Sequence, residues 1–573
     1  MGDARAPMNV AAATRSYVDR IINDPNNQGM KVLLLDDATT KTVAMVYSQT
    51  EILGKDVYLV ERVDQARAHG RMAHLRAAVF VRPTAANFEL LKREVADPKF
   101  SEYHLYFSNV VPKDQLRALA EADTGEVVRQ VQEYYADFVP VNDDLFTINQ
   151  RQALRLSTDV RDASHQEMFG RNVHGILACL LSLKTQPAAI RFPKSSRVAT
   201  AVAQEVHRQI QGDGIFHFNK PGGPLLLILD RADDAVTPLL SQWTYQAMVH
   251  ELLGLNNNRV KLKGAPGVKG DKDLEEVVLS SADDKFYAAQ KFANFGDLGS
   301  SVKTLLDDYQ RQTKMNENIS SIEDMQAFME RYPAFRSKSL NVSKHVALIS
   351  ELSRLVEVYK LMDVSQLEQE IACTDEKSAQ WREVLARIGD ARVNATDKLR
   401  LAVLFALRYE SAQASQLDRL KLALEENRVA SEKVALVDAC LRYGGKRARG
   451  PGLFDSNKSL FAKVSKQVKT SLEGVENVYS QHVPLVMETI EAAAKGKLSE
   501  KHYPTVTGSP APSGRVSEII VYMVGGVTYE EATKVAELNA AGGVSVVLGG
   551  SYVHNSGTFL EDLDDAFGRG ARI

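Results

Sequence analysis

Cysteine is scarce in this sequence: a chain of 573 residues contains three, Cys179, Cys373 and Cys440. Three scattered cysteines do not provide the paired framework that holds small secreted domains together, and their spacing is not that of a cysteine-based zinc site. The scarcity of this residue is typical of proteins that work in the reducing cytosol.

Long apolar runs are also missing. The longest, such as LAVLFAL (401–407), are far shorter than the roughly 20 residues that a membrane-spanning helix needs. The stretch MGDARAPMNVAAATRSYVDRI lacks the apolar segment of a secretory signal, and Ala6 stands where a myristoylation signal carries Ser or Thr. We therefore expect any association with a membrane to depend on a partner.

Neither sign of charge is in excess. The 70 Lys and Arg residues nearly balance the 73 Asp and Glu residues, so the formal net charge is −3. A nucleic-acid-binding chain would be expected to carry a basic domain, and this balance predicts no nucleic-acid partner. With 44% hydrophobic and 25% charged residues, the composition is that of a globular protein, and the length predicts roughly two to four domains.

Familiar catalytic signatures are absent from the sequence. It contains no GxxxxGK[ST] phosphate loop, no GxGxxG dinucleotide loop, no GxSxG nucleophile elbow and no HExxH zinc helix. Gly525-Gly526 and Gly549-Gly550 follow predicted strands. A glycine pair in that position either approaches a phosphate or turns the chain tightly into a helix.

Strand-like and helix-like patterns alternate through the first 150 residues. Continuous apolar runs are typical of strands buried on both faces of a sheet. Their alternation with helical stretches predicts an open parallel sheet covered by helices. The predicted strands are 30–37, 42–48, 56–63, 76–83 and 103–111, and the predicted helices include 84–96 and 113–122.

The pattern changes twice more along the chain. Residues 141–240 continue the alternation, whereas residues 241–481 have the pattern of long helices with almost no strands. Strands return in 482–573, in a tail too small to form a domain, and its natural place is the sheet interrupted at residue 240. We therefore predict a first domain at 1–140, a discontinuous second domain at 141–240 and 482–573, and a helical third domain at 241–481.

The segment LLLILDRADDAVTPLLSQWTYQAM (225–248) places carboxylates at the end of a buried strand, where α/β enzymes hold their ligands. Asp230 and Asp233 would suit Mg²⁺ for phosphoryl chemistry. The other interpretation is a structural corner, in which Asp230 and Arg231 form charge-assisted hydrogen bonds and Asp234 accepts from loop amides. No second cluster of metal ligands accompanies the motif, which favours the corner and no metal.

The same segment resembles the strand and corner signature of the SM proteins, the Sec-one/Munc-eighteen-like regulators of SNARE-mediated membrane fusion. Further stretches resemble this family in the same order along the chain. YFSNVVPKDQLRALAEAD (106–123) and RYGGKRARGPGLF (442–454), whose basic part we expect to be a mobile loop, resemble the vacuolar-sorting branch, which partners a late-Golgi and endosomal syntaxin. The other stretches are KVLLLDDATTKTV (31–43), DVYLVERVD (56–64), MERYPAFRSKS (329–339), IIVYMVGGVTYEEA (519–532) and VVLGGSYVHNSGTFLEDL (546–563).

The resemblance implies an arch-shaped fold of two parallel-sheet α/β domains, the second one discontinuous, and a helical domain whose hairpin projects at about residues 300–345. It also implies a function without catalysis and without a cofactor. A member of this family binds a syntaxin-type (Qa) SNARE and promotes its assembly with the vesicle (R) SNARE into the bundle that drives docking and fusion. We expect a monomeric protein, held through SNAREs on Golgi, endosomal and vacuolar membranes.

Three surfaces follow from the resemblance. The first is an outer groove of domain one for the extreme N-terminal peptide of the syntaxin, with 113–122 and 126–138 as two walls of helical spacing. The groove residues would be Leu116, Leu119, Ala120, Val128, Val131 and Tyr135.

The second surface is the arch cavity, where Glu61 and Arg62 would meet the charged helices of the partner.

The third surface is the hairpin at 302–335. Pro333 lacks a backbone donor and clashes with the preceding turn, which predicts that the helix ends or bends after Tyr332. The resemblance implies that Pro333 is a hinge that lets the hairpin extend along the vesicle SNARE, although an ordinary helix end would explain it too. The apolar strip offered to that SNARE would consist of Met325, Phe328 and Met329.

Two functions of other classes remain compatible with the residues alone. One is a doubly wound phosphohydrolase or nucleotide-binding enzyme that uses Asp230, Asp233 and the glycine pairs, and the other is a helical tether without SNARE specificity. An SM protein of the exocytic branch is the alternative within the family. Stabilisation by Mg²⁺ or nucleotide would identify the enzyme, and partner binding that is indifferent to Leu116 would identify the tether.

Overall fold

The computed structural model describes residues 7–65, 70–212, 214–216, 218, 222–268, 272–316, 322–410, 414–450, 452–454, 478–506 and 514–568, with the side chains of 312–338 outside that description. A parallel sheet, a mainly parallel sheet with an antiparallel edge strand, and a large group of helices make up most of these residues. No helix in these ranges is long and apolar enough to cross a membrane.

Residues 10–133 form an open parallel sheet with helices on both faces. The elements are α1 (Val10–Ile22), β1 (Lys31–Leu35), α2 (Asp37–Val46), α3 (Gln49–Leu53), β2 (Val57–Arg62), β3 (Arg76–Val81), α4 (Ala85–Ala96), β4 (Tyr103–Phe107), α5 (Lys113–Ala122) and β5 (Val128–Glu133). The strand order is β2-β1-β3-β4-β5. One core, with Leu105, lies under α4 and α5, and the other, with Tyr106, lies under α1, α2 and α3.

The stretch 42–48, predicted as a strand, belongs largely to helix α2 instead. Asp36 caps this helix, because its Oδ1 accepts from the Thr39 N–H at 2.7 Å and its own N–H donates to the Thr39 hydroxyl at 3.0 Å. Thr42 buries its hydroxyl by donating to the Phe138 carbonyl at 2.9 Å. The β-branched residues favour a strand, but capping and tertiary packing override that preference.

Residues 139–230 supply the first part of a second sheet. They comprise β6 (Val139–Asn142), β7 (Leu145–Thr147), α6 (Ala163–Ser182), β8 (Ala189–Arg191), α7 (Arg197–Gly212) and β9 (Leu225–Asp230). Strand β9 is buried at every residue, as its continuous apolar run predicts.

Residues 245–444 are mainly helical. The elements are α8 (Tyr245–Leu252), β10 (Arg259–Lys261), β11 (Glu276–Val278), α9 (Lys285–Gln290), α10 (Phe295–Asn316), α11 (Ile322–Val358), α12 (Leu361–Cys373), α13 (Lys377–Gly389), α14 (Ala395–Arg408), α15 (Ala414–Glu426), α16 (Ser431–Val434) and α17 (Leu436–Gly444). Strands β10 and β11 form a small antiparallel pair. Helix α14 lies inside the main core of this region and is buried from Asp397 to Arg408.

Residues 485–567 complete the second sheet. They form α18 (Leu485–Ala494), β12 (Glu518–Val524), β13 (Val527–Thr528), α19 (Tyr529–Ala541), β14 (Ser545–Gly550), β15 (Val553–His554) and α20 (Ser556–Phe567). The sheet has the order β6-β7-β14-β12-β9-β8, and β12 pairs in parallel with both β9 and β14. Its central strands thus come from both sides of the helical region, while the domain limits at 140, 240 and 481 stay predictions.

Candidate partner-binding surfaces

Arg231 lies at the corner after β9 and is fully buried. Its Nη1 donates to both carboxylate oxygens of Glu531, at 2.7 and 2.8 Å, and its Nε donates to the Asp234 carbonyl at 2.9 Å. Glu531 belongs to the first turn of α19. These charge-assisted hydrogen bonds tie the end of β9 to an element that follows the helical region in sequence.

Asp234 connects the same corner to α18. Its Oδ1 accepts from the backbone N–H of Thr237 at 2.9 Å, and its Oδ2 accepts from the Thr237 hydroxyl at 2.5 Å and from the Leu485 N–H at 3.2 Å. Burial alone would raise the pKa of Asp234, but the Arg231 guanidinium and these hydrogen bonds lower it. The carboxylate is therefore ionised and satisfied inside the fold.

Asp230 is also satisfied by protein donors. Its side chain accepts from the Ser196 hydroxyl at 2.6 Å and from the Ala232 N–H at 2.9 Å. Burial raises the pKa of Asp230. Across the part of the chain that the structure describes, no group of three or more His, Cys, Asp or Glu residues could hold a metal ion. The geometry favours the structural corner over the Mg²⁺ site.

The two glycine pairs are packed against protein atoms. A Cβ on Gly526, whose φ is +99°, would lie 2.4 Å from the His554 ring, and a Cβ on Gly549 would lie 2.2 Å from the Phe146 ring. Glycine is thus required for close packing in the second sheet. Neighbouring side chains fill the space beside these turns that a bound phosphate would need in an enzyme.

The basic loop after α17 is tied down where the structure describes it. Arg449 is buried and its Nη1 donates to Glu410 Oε1 at 2.6 Å. The Gly450 N–H donates to Asp233 Oδ1 at 2.9 Å. Burial and the neighbouring Asp230 raise the pKa of Asp233 to about 7. Arg449 and the backbone of Gly450 thus have acceptors within the fold, while the mobility of the loop stays a prediction.

Helix α5 presents two of its three predicted groove residues to solvent. Leu116 is 37% exposed, and Ala120, one turn further on, is exposed as well. Leu119 is only 2% exposed and lies in the core under the helix. The prediction is wrong for Leu119, because the residue that seats the helix on the sheet cannot also contact a partner.

The second predicted wall, 126–138, is not a helix. Its residues Val128–Glu133 form β5, which pairs in parallel with β4 at the edge of the sheet. The register is irregular at its first residue, so Val128 pairs with Tyr103 and Val131 pairs with Leu105. Both partners lie in the core under α4 and α5. Because paired residues share a face, the irregularity brings both valines to the α5 side of the sheet.

Val131 and Val128 differ in how far their side chains are exposed to solvent on that side. Val131 is 39% exposed, and Val128 is half-buried against the core. Tyr135 lies beyond the end of β5 and packs partly against the cores on the other face, with its hydroxyl donating to Glu133 Oε2 at 2.9 Å. We call the four residues that share the open face the α5–β5 surface: Leu116, Ala120, Val128 and Val131.

The free edge of β5 is a feature that the helical interpretation missed. Strand β5 pairs with β4 on one side, and no other described strand pairs with its outer side. An edge strand offers N–H and C=O groups that an extended peptide can pair with. The valines at 127, 128 and 131 are the signal that could have indicated a strand, because β-branched residues favour sheets.

Glu61 and Arg62 end strand β2, at the opposite edge of the first sheet. Arg62 donates to Asp64 Oδ1 at 2.9 Å and to Asp37 Oδ1 at 3.2 Å, and the hydrogen bond to Asp64 raises the pKa of Arg62. Lys41 lies 2.8 Å from the other oxygen of Asp37. The two predicted residues therefore belong to a larger face of mixed charge. This face also includes Asp37 and Lys41, which the sequence analysis did not predict.

The predicted hairpin consists of α10 and α11, which pack against each other. Helix α11 continues through Pro333, so the helix does not end after Tyr332, while the alternative of a bend there stays a prediction. A proline inside a helix removes one hydrogen bond and costs ~3 kcal/mol, which long helical segments on both sides can offset. The side chains of the predicted hinge and strip lie outside the described residues: Pro333, Met325, Phe328 and Met329.

The whole chain is similar to known proteins of one family. The sequence profile of the Sec1 family matches residues 31–562. Vacuolar protein sorting-associated protein 45 of Mus musculus is 45% identical over 560 residues, which are 97% of this chain and 96% of that relative.

Solved structures show the same relationship. The structure of the SM protein Vps45 in complex with the Qa SNARE Tlg2 has a TM-score of 0.89 and 41% identity over 98% of each chain. The Unc18–syntaxin 1 complex from Monosiga brevicollis is 21% identical and shares the fold, with a TM-score of 0.77. The resemblance to the vacuolar-sorting branch is confirmed. The chain belongs to the Sec1 family, that of the SM proteins.

Proposed function

We propose that this protein binds a syntaxin-type Qa SNARE of the late Golgi and endosomes and promotes its assembly into the SNARE bundle. The observation that carries the proposal is the match, over 98% of the chain, to an SM protein solved in complex with the Qa SNARE Tlg2. Function in this proposal resides in binding surfaces. The corner at Arg231 holds the two halves of the second sheet together.

The α5–β5 surface binds the extreme N-terminal peptide of the Qa SNARE in this proposal. Leu116 and Val131 are large apolar side chains that each expose more than a third of their area. Burying one such side chain against a peptide anchor stabilises a complex by about 1.5–3 kcal/mol at most. The outer edge of β5 adds main-chain donors and acceptors for an extended segment.

The mixed-charge face at the end of β2 contacts the helical part of the same SNARE. Glu61, Arg62, Asp37 and Lys41 alternate in sign over a small area. Such a face complements a helix that carries alternating charges and selects its register more than it adds affinity.

The hairpin of α10 and α11 provides a template for the vesicle R-SNARE. Pro333 lies inside α11, where it weakens the helix locally and acts as the hinge of the proposal. Met325, Phe328 and Met329 would supply adaptable apolar contacts. The protein acts as a monomer without catalysis, and it reaches Golgi, endosomal and vacuolar membranes through its SNARE partners.

A pull-down with an immobilised Qa SNARE of the Tlg2 type tests the peptide site. Leu116→Arg places a charge on the apolar surface, so we expect it to reduce the captured protein by roughly tenfold or more. Leu422→Arg is the matched control, because Leu422 is a 54% exposed leucine on α15. We expect this control to bind like the wild type.

A Qa SNARE that lacks its N-terminal peptide completes the design. Wild type and Leu116→Arg should bind this shortened SNARE equally, since the surface no longer has an occupant. Equal capture of the complete SNARE by wild type and Leu116→Arg would refute the peptide site. Absence of capture by the wild type would refute the proposed function itself.

A further inference from the structure

A cavity of about 760 Å³ opens at the carboxyl ends of the strands in the first sheet. It is lined by Asp37 and Thr39 after β1, Arg82 after β3 and Asn109 after β4. In the strand order β2-β1-β3-β4-β5, the chain leaves β1 towards one edge of the sheet and leaves β3 towards the other edge. The topological switch point therefore lies between β1 and β3. Open α/β sheets bind their ligands at such a point, outside the carboxyl ends of the strands.

The opposite wall of the cavity comes from the elements around the second sheet. Helix α6 contributes Gly170, Arg171 and Leu177, and the segment after α7 contributes Phe216. The cavity therefore lies between the two α/β units, a common position for small-molecule sites. It is separate from the α5–β5 surface, since none of the residues of that surface lines it.

In one part of the cavity wall, two arginine side chains form ion pairs with the same aspartate. Arg82 Nε lies 2.8 Å from Asp137 Oδ1, and Arg171 Nη1 lies 3.2 Å from Asp137 Oδ2. Neither nitrogen has a hydrogen bond of good geometry within the described residues, although both are buried. The Ser108 hydroxyl, also on the wall, is buried and likewise has no hydrogen-bond partner among those residues.

The charge of Arg171 is incompletely stabilised by the protein. Burial lowers the pKa of Arg171 to about 10, because the attraction of Asp137 does not offset the loss of hydration and the repulsion by Arg82. A buried charge of this kind gains from an additional partner of opposite sign. An oxyanion beside the Arg82 guanidinium, whose side chain is 25% exposed, would supply that partner through charge-assisted hydrogen bonds.

The rest of the wall includes a group of apolar side chains. Val110 is 42% exposed, Pro112 is exposed and Ile215 is partly exposed, and all three line the cavity. A site that combines apolar walls with a few convergent polar groups has the composition of a small-molecule pocket, and its volume is in the usual range.

We propose that this cavity binds a small molecule that carries an oxyanion, either a phosphate monoester or a carboxylate, on an apolar body. Arg82 and Arg171 hold the oxyanion. Val110, Pro112 and Ile215 contact the apolar body. The cavity is distinct from the α5–β5 surface but shares Asp37 and Lys41 with the mixed-charge face, and its ligand would contact both α/β units at once.

Calorimetric titration of the full chain with phenyl phosphate and with benzoate tests the site and separates the two sources of the oxyanion. Benzyl alcohol and inorganic phosphate are the controls that lack, respectively, the charge and the apolar body. We expect at least one of the two aryl anions to bind at least tenfold more tightly than either control. Arg82→Gln should weaken that binding by roughly tenfold, since it removes a charge-assisted contact.

A second variant blocks the cavity without changing any charge. Gly170 lies in α6, lines the cavity and has no atom within 4 Å of the position of an added Cβ. Gly170→Leu should therefore fold, because replacing a helical glycine favours the helix, and it should abolish anion binding. Gly299→Leu in α10 is the matched control, since Gly299 also has open space and lies outside the cavity.

Three results would overturn the proposal. They are binding of neither aryl anion, binding that Gly170→Leu leaves intact, and equal binding of benzyl alcohol. Thermal unfolding of each variant separates loss of the site from loss of the fold. The proposed function fails by a different readout, the capture of a Qa SNARE, so the two proposals stand or fall separately.

Discussion

Glu531 is the residue that completes the corner at Arg231, and local sequence patterns could not identify it. Asp234 bonds to the amide of Thr237, three residues further on, and this short-range contact follows from the motif. Glu531 is 300 residues from Arg231, and only the pairing of β12 with β9 brings the two together. Contacts within a turn can thus be predicted from one sequence, whereas a distant buried partner cannot.

Arg231→Met tests the energetic weight of this corner. The substitution leaves the Glu531 carboxylate, which is fully buried, without its partner. Removing one member of a buried ion pair costs roughly 3–5 kcal/mol, so we expect a clearly lower urea midpoint of unfolding. The double variant Arg231→Met/Glu531→Met should recover much of the loss, because it removes both charges. A single variant as stable as the wild type would contradict this account.

Asp233 makes the stability of the protein depend on pH. Its pKa is raised to about 7 in the folded protein, whereas aspartates of unfolded chains titrate near 4. The folded state therefore binds this proton more tightly, and its contribution is complete below pH ~4 and lost as the pH rises to about 7. Asp233→Asn keeps an acceptor for the Gly450 N–H and removes the titration. We expect this variant to have a higher Tm than the wild type at pH 8 and a similar Tm at pH 4.

Asp37→Asn is a control that should change the stability at pH 8 in the opposite direction. The hydrogen bond and charge of Lys41 lower the pKa of Asp37, so its ionised form stabilises the folded state above pH ~4. This variant should lose stability at pH 8, by less than about 1 kcal/mol because Asp37 is well exposed. If the two variants changed the Tm in the same direction at pH 8, the assignment to Asp233 would fail.

At the scale of elements, the strands buried on both faces were predicted correctly, and two peripheral segments were not. Runs such as LLLILD are typical of strands in a covered parallel sheet. The stretch 42–48 and the wall 126–138 were assigned to the wrong type of structure, since capping by Asp36 and the edge of β4 decide their conformations. This error changed which residues of the second wall face the groove. Side chains return to the same face every 3.6 residues in a helix and every two residues in a strand.

Pro333→Ala tests the hinge in α11. Alanine restores a backbone donor and favours the helix by ~3 kcal/mol relative to proline. We expect the straightened helix to increase the rate of SNARE assembly, measured by fluorescence energy transfer between labelled Qa and R SNAREs. Arg331→Ala, in the same helix, is the control and should leave the rate unchanged. An unchanged or slower rate with Pro333→Ala would rule out the hinge.

At the scale of the whole molecule, the second sheet depends on chain segments on both sides of the helical region. Strands β12 and β14 lie between β9 and β7 in the sheet. A chain that ends at residue 481 would leave β9 as an exposed apolar edge, which favours aggregation. We expect such a chain to be insoluble and to become soluble when 482–573 is co-expressed.

A chain that ends at residue 568, after α20, is the control for this truncation and should fold like the complete protein. Cooperative unfolding of a soluble 1–481 fragment would show that the two halves fold independently. The return of strands in a C-terminal tail too small to form a domain predicted this re-entry of the C-terminal strands. The pairing partners within the sheet needed the structure, because the pattern of apolar runs does not specify strand order.

The central claim, that this protein binds a Qa SNARE, is tested most directly by calorimetric titration with the complete cytosolic region of a Tlg2-type Qa SNARE. We predict a complex of one molecule of each, with a dissociation constant of about 1 μM or lower. Burial of apolar surface should give a negative heat-capacity change. No heat of binding with any Qa SNARE at concentrations of roughly 100 μM would contradict the claim.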